Sequence, residues 1–220
     1  MEEKEMQGII GRYRRLYTGV VSDTLDKKGY RQQALPYYIT PISMDMQVAG
    51  PAFTGYGAPV NDEANDDSGR RVEMLEAIPP LSVAVWTTSG HTLAAHWGEI
   101  MSNSARERGC TGAVVDGGVR DVRFILEMGF PVFAHFRCCA SSVGRWEIRE
   151  WQVPIRIGQT TVSPGDFVFG DVDGVVVVPR GMILEVLEEA EASVLRENGM
   201  REDLRRGASA SQIFKKYGRF

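Results

Sequence analysis

One α/β domain with a mixed sheet, layered β/β/α, is the fold this sequence predicts. Three observations lead there. Strand-like and helix-like segments alternate through the middle of the chain, and the third quarter is rich in short β segments separated by glycine turns. No linker, internal repeat or low-complexity tract divides the 220 residues, and 43% of them are hydrophobic, enough to bury a substantial core. The domain is therefore expected to span residues 1–220, with a C-terminal helical segment from about 181.

The elements follow from periodicity and punctuation. Ile9, Ile10, Tyr13, Leu16, Tyr17, Val20, Val21 and Leu25 recur near helical spacing, predicting a helix over residues 6–28 that stops at Gly29. "MQVAGPAFTGY" (46–56) reads as a strand bent at Gly50-Pro51. Residues 57–71 read as a polar, solvated loop and 72–78 as a short helix. "LSVAVWTT" (81–88) reads as a strand after Pro79-Pro80, and "WGEIMSNSARERG" (97–109) as a helix ended by Gly109. The buried strand "GAVV" (112–115) stops at Asp116 and turns through Gly117-Gly118, a short helix runs to Met128, and "PVFAHF" (131–136) is the next strand. "VPIRIG", "TTVSPGDFVFG" and "DGVVVVP" supply short strands. A helix over 181–198 follows, with a shorter one after Gly199.

Composition excludes several classes. A net charge of −4 does not suit a protein whose main work is neutralising phosphates, so no nucleic-acid partner is expected. Cys138 and Cys139 are adjacent and Cys110 stands apart, which is no disulfide framework and suits a reducing cytoplasm. The start "MEEKEMQGII" lacks the order of a signal peptide, and no apolar run reaches the roughly 20 residues that span a bilayer. No Walker loop, dinucleotide fingerprint or nucleophile elbow occurs.

The chemistry concentrates in two turns. "HWGEIM" opens a helix at Gly98-Glu99, where the first N–H groups lack partners and the dipole favours an anion. Glu99, Ile100 and Met101 thus offer backbone donors to a carboxylate or phosphate. "DGGVRD" lies at the C-terminal end of a strand, where open α/β sheets place ligands. There Arg120 can grip a carboxylate through two hydrogen bonds, and Asp121 offers hard oxygen to Mg²⁺ or Mn²⁺. Each residue also has a plain role open to it: Asp121 as a helix N-cap, Arg120 in a surface ion pair, Glu99 as a first-turn acid. His91 and His96 do not match the HExxH spacing and read as structural, with His96 the better functional candidate beside Gly98-Glu99. His135 reads as a core residue, and Asp171 and Asp173 as turn residues.

"HWGEIMSNSARERGCTGAVVDGGVRD" resembles the signature of the RraA-like family, which includes the 4-hydroxy-4-methyl-2-oxoglutarate aldolases. That signature is an acidic residue, twenty intervening residues, then Arg-Asp; here it is Glu99, residues 100–119, Arg120 and Asp121. "VVSDTLDKKG", "VAGPAFT", "EMGFPVFA" and "VSPGDFVFGDVDGVVVVP" follow in the family's order. The family's aldolases often carry Asp where Glu99 stands.

The resemblance implies a divalent-metal-dependent aldolase that cleaves a 4-hydroxy-2-oxo acid to pyruvate through an enolate, with oxaloacetate decarboxylase activity as a companion. It implies that Asp121 binds Mg²⁺ or Mn²⁺ directly and Glu99 through water. Arg120 and the backbone of Gly98, Ile100 and Met101 would hold the pyruvyl end. It also implies a homotrimer or homohexamer in which Glu197 of a neighbouring subunit completes the metal environment. No lysine lies in the two turns, which favours the metal route over a Schiff base. The alternative is a regulator that binds a ribonuclease without catalysis; retention of Glu99 and Asp121 speaks for the enzyme.

Overall fold

Residues 2–61 and 67–218 are described by a computed structural model. Met1, residues 62–66 in the middle of the acidic stretch, Arg219 and Phe220 lie outside it. The elements in order are α1 (Glu3–Tyr13), α2 (Thr18–Lys27), β1 (Thr40–Pro41), β2 (Val48–Pro59), α3 (Ser68–Glu76), β3 (Val83–Thr87), β4 (Ala95–Trp97) and α4 (Glu99–Glu107). Then come β5 (Gly112–Val119), α5 (Val122–Met128), β6 (Val132–Arg137), β7 (Trp146–Trp151), β8 (Ile155–Ile157), β9 (Thr160–Val162), β10 (Phe167–Asp171), β11 (Gly174–Val178), α6 (Ile183–Arg205) and α7 (Ala210–Tyr217). No helix among the described residues is long and apolar enough to cross a membrane.

The main sheet runs β1-β6-β5-β3-β2-β10-β11 and is mixed. The pairs β2–β3, β3–β5 and β5–β6 are parallel, whereas β1–β6, β2–β10 and β10–β11 are antiparallel. All five residues of β3 are buried, which is why it reads as an unbroken apolar run rather than an alternating one. Pro51, which has no N–H to give, is where β2 leaves β10 and takes up β3. A bridge between Ala34 and Val176 ties the chain ahead of β1 to β11, so the sheet nearly closes on itself.

Two apolar cores lie on either side of this sheet. The inner one joins the faces of β2, β3, β5 and β6 with Ala105 of α4, Ile125 of α5 and Met74 of α3. The outer one packs α1, α2 and α6 against β10 and β11, with Tyr13 resting on Phe167 at 4.3 Å between ring centres. This is the β/β/α layering.

Several boundaries differ from the sequence reading, each for a tertiary reason. The first helix is two, because the buried Asp171 carboxylate takes both the Thr18 N–H (2.8 Å) and its hydroxyl (2.7 Å) and starts α2 afresh. Asp171 also accepts from Asp173 N–H, the turn role expected of the pair. The helix α6 continues through Gly199 without a break. The third helix begins at Ser68, four residues ahead of the reading. Most consequentially, β5 does not turn at Asp116 but runs on through Gly117-Gly118 to Val119. A β-carbon at Gly117 would stand 2.5 Å from Thr88 Cγ2 and 2.7 Å from His96 Nδ1, and one at Gly118 would stand 2.5 Å from the Ala94 carbonyl oxygen. The glycines admit neighbours; they do not make a turn.

Candidate active site

The extended β5 delivers Arg120 and Asp121 to the C-terminal edge of the parallel strands, beside the start of α4. Arg120 N–H donates to the Trp97 carbonyl (3.0 Å), which ties the two turns together. Trp97 is buried and its indole N–H donates to Ser102 Oγ (2.8 Å), while Ser102 closes the first turn of α4 onto the Gly98 carbonyl (3.0 Å). The entry into α4 is thereby fixed from below. The N–H groups of Glu99, Ile100 and Met101 occupy the first turn, where helix geometry supplies no backbone acceptor.

Gly98 sits directly against the other turn. A β-carbon there would stand 2.9 Å from Asp121 Oδ2 and 3.3 Å from Arg120 Cγ. Asp121 takes the N-cap position of α5, yet its side chain makes no capping hydrogen bond, so the plain N-cap role is not the one it fills. Its backbone is left-handed, φ 57° and ψ 29°, a conformation Asp tolerates better than most side chains. Arg120 Nε lies 3.4 Å from Asp121 Oδ2, with both side chains about two-fifths exposed (42% and 41%). An ion pair and an open carboxylate therefore coexist.

Gly98, Ile100, Met101, Arg120 and Asp121 line one pocket of about 270 Å³. Arg120 and Asp121 also line a second recess of about 380 Å³, together with Arg137, Cys138 and Cys139. All three cysteines are free. Glu99 lies outside both walls and accepts a hydrogen bond from the Asn103 side chain one turn on. Glu197, on α6, accepts from the Tyr17 hydroxyl and from Arg201 Nη2 (3.0 Å), away from the pocket of its own chain. Five of the six site residues expected within one subunit thus share a pocket and Glu99 is not in its wall; Glu197 is the residue expected from a neighbouring subunit.

The donor set suits a hard cation held mainly by water. Among the described residues no three His, Cys, Asp or Glu side chains converge. Mg²⁺ commonly takes one or two carboxylates and keeps several waters, and Asp121, open and unspent on capping, can serve as that carboxylate.

His96 is part of the pocket wall, but its nitrogens are both engaged. The Gly118 N–H donates to His96 Nδ1 (3.1 Å), which places the ring proton on Nε2, donating to His91 Nδ1 (2.8 Å). Burial, with the charges of His91 and Arg71 behind it, pushes His96 down to about 3. It is a neutral strut between β4 and β5, the structural role. His135 departs from the core reading: it stacks on Tyr38 (4.0 Å) and lies 3.9 Å from Asp116, whose carboxyl burial pushes up.

The sequence reading missed Arg71. It lines the same pocket as Arg120 and reaches it from α3. The signal was present in the Asp67–Arg71 spacing of four on a helix, an i,i+4 ion pair observed at 2.6 Å. Ser141, Ser142 and Val143 complete that side of the pocket.

The family profile described as RraA-like, Aldolase/RraA, matches residues 18–177. A protein of Halalkalibacterium halodurans named "Putative 4-hydroxy-4-methyl-2-oxoglutarate aldolase" is 34% identical over 182 residues, 83% of this chain and 81% of that one. Protein DlpA of Legionella pneumophila is 29% identical over 90% of this chain, which spans only 32% of DlpA's length. Among solved structures, one described as a crystal structure of novel cellulases from microbes associated with the gut ecosystem is 39% identical. It has a TM-score of 0.83 over 91% of this chain and 88% of that one.

Proposed function

The chain belongs to the RraA-like family, and we propose that it is a metal-dependent carbon–carbon lyase releasing pyruvate from a 4-hydroxy-2-oxo acid. The observation that carries the proposal is the apposition across Gly98: a cationic Arg120 and an uncapped Asp121 face the open N–H groups that begin α4. A 2-oxo acid presents a carboxylate and an adjacent keto oxygen, and this rim offers donors for both.

As a base takes the 4-hydroxyl proton, C4 becomes the carbonyl of the departing fragment and the C3–C4 electron pair delocalises onto the keto oxygen as an enolate, which a proton returned to C3 converts to pyruvate. Mg²⁺ or Mn²⁺ held by Asp121 would supply Lewis acidity there. Arg120 adds a fixed positive charge at the oxygen where negative charge grows, and fixed charge requires no reorganisation during the step. The N–H groups of Ile100 and Met101 hold the carboxylate against the helix dipole, which orients the breaking bond. The same enolate arises when oxaloacetate loses CO₂, so decarboxylation is the expected companion reaction.

The test is pyruvate release from 4-hydroxy-4-methyl-2-oxoglutarate and from oxaloacetate with Mg²⁺ or Mn²⁺, with and without EDTA. We expect release that EDTA abolishes and added metal restores. Asp121→Asn keeps a residue that tolerates the left-handed backbone, so it should melt near the wild type. It should nonetheless lose on the order of 10²–10³-fold in turnover, the scale of a preorganised electrostatic contact. Metal-independent release, or a fully active Asp121→Asn, would overturn the proposal. No release from either compound would turn attention to the family's protein-binding mode.

A further inference from the structure

The pocket that holds Arg120 has a second cation that this chemistry has not used. Arg71, on α3, lines that pocket together with Ile100 and Met101 of α4 and with Ser68, Ser141 and Ser142. Its side chain is only 15% exposed, unusual for an arginine unless something holds it. Here it is held on three sides. Nε donates to Asp67 Oδ1 (2.6 Å), Nη2 donates to Ser142 Oγ (2.9 Å), and the guanidinium lies 5.6 Å over the Trp146 ring. Asp67 is fixed in turn by the Ile148 N–H (2.9 Å).

These contacts occupy one edge of the guanidinium fork. Among the described residues no acceptor meets Nη1. In the same pocket lining, Ser141 Oγ accepts from the Val143 N–H (3.2 Å), which leaves its own proton to donate. The positive charge acts on the pocket floor, for it helps depress His96. A guanidinium held rigid, largely desolvated and left with a free edge in a substrate-sized pocket is a preorganised receptor for an anion.

We infer that Arg71 is a specificity-determining residue: it receives a second carboxylate, at the end of the substrate remote from the pyruvyl group, and selects dicarboxylic 2-oxo acids over monocarboxylic ones. The inference rests on the reading of Arg120 and the α4 amides as the pyruvyl site. A monocarboxylate leaves the Nη1 edge unpaired, whereas a dicarboxylate satisfies it. That difference, and not the chemistry of cleavage, is what Arg71 controls.

The test separates this inference from the lyase reading because it also measures binding. With Mg²⁺ present, calorimetry compares 2-oxoglutarate, a dicarboxylate, with 2-oxobutyrate, a monocarboxylate, on the wild type, Arg71→Gln, Arg71→Lys and Ser142→Ala. The wild type should prefer 2-oxoglutarate, and Arg71→Gln should weaken it about 10-fold, the scale of one charge-assisted hydrogen bond, with less than about 2-fold change for 2-oxobutyrate. Arg71→Lys should fall between. Arg71→Gln leaves Asp67 without its cation, so its melt is measured too. Ser142→Ala, which keeps every charge and only loosens the guanidinium, should show a smaller loss confined to the dicarboxylate.

Equal weakening of both ligands, or a wild type indifferent to the second carboxylate, overturns the inference. If the dicarboxylate preference depends on Arg71 but the wild type releases pyruvate from neither 4-hydroxy-4-methyl-2-oxoglutarate nor oxaloacetate, the lyase reading fails and Arg71 stands. If pyruvate is released and the preference ignores Arg71, the reverse holds.

Discussion

At the scale of single residues, His96 shows how the pocket floor is stabilised and what that costs in acid. Its ring is buried and neutral, accepting from the Gly118 N–H and donating to His91. The unfolded chain takes a proton near pH 6.5, whereas the folded chain resists until about 3, so the unfolded state binds more protons between those values. Stability is therefore fully present above pH 6.5 and lost as pH falls towards 3. Between pH 7.5 and pH 5 the loss amounts to about 2 kcal/mol, or about 4–8 °C in melting temperature for a chain of this size. His96→Gln can still accept from Gly118 and donate to His91, yet it does not titrate. It should melt lower than the wild type at pH 7.5 and lose less on going to pH 5. Parallel slopes in the two proteins would show that His96 does not carry the acid sensitivity. Asp116, whose raised value acts in the opposite direction, contributes to both proteins alike and drops out of the comparison. The sequence marked His96 through its neighbourhood. Only the Gly118 N–H on Nδ1 distinguishes a strut from a catalytic base, and that contact crosses 22 residues of chain.

Between elements, the decisive distance is that from the start of α4 to the end of β5, and Gly98 sets it. Its backbone is extended, φ −157° and ψ −172°, so alanine is conformationally acceptable there and only space is at issue. The added β-carbon would press on Asp121 Oδ2 at 2.9 Å and Arg120 Cγ at 3.3 Å, half-exposed side chains that can move aside. Gly98→Ala should therefore melt within a few degrees of the wild type while losing at least about 10-fold in kcat/KM, since misplacing the reacting groups by about 1 Å can cost 10²-fold. Unchanged kcat/KM would show that the two turns do not act as one site.

The helix, the strand and the Arg-Asp pair were all legible from local signals: the capping region, the apolar run and Gly129, whose φ of 68° ends α5. What local signals could not show was that Gly117-Gly118 is a place of close approach. A glycine pair after an aspartate reads as a turn until Thr88 and His96 are known to lie against it. Nor could they show β1 and β4, two and three residues long, which exist only by pairing with β6 and β5. By contrast β7 does alternate, with Trp146 and Ile148 turned inwards, and its pattern was there to read.

Across the whole molecule, the two cores divide the work between them. The outer core of α1, α2 and α6 on β10 and β11 contains none of the pocket residues, whereas the inner core includes Trp97, which lines the pocket, Val119, which precedes Arg120, and Ile125 of α5. Leu187 and Ile125 are both fully buried, one in each core. Truncating either to alanine deletes a comparable aliphatic side chain and should cost about 2–5 kcal/mol, lowering the melting temperature by several degrees or more. The two should nevertheless differ in function. Measured at 25 °C, Leu187→Ala should keep kcat/KM within about 2-fold, because the cavity lies under a helix that contributes no residue to the pocket of its own chain. Ile125→Ala undermines α5, whose first turn is closed by the Asp121 carbonyl accepting from the Phe124 N–H (3.0 Å) and the Ile125 N–H (3.2 Å), so it should also lose activity. Equal activity losses at matched stability would mean that the site is coupled to the whole sheet and that the outer layer is part of the catalytic scaffold.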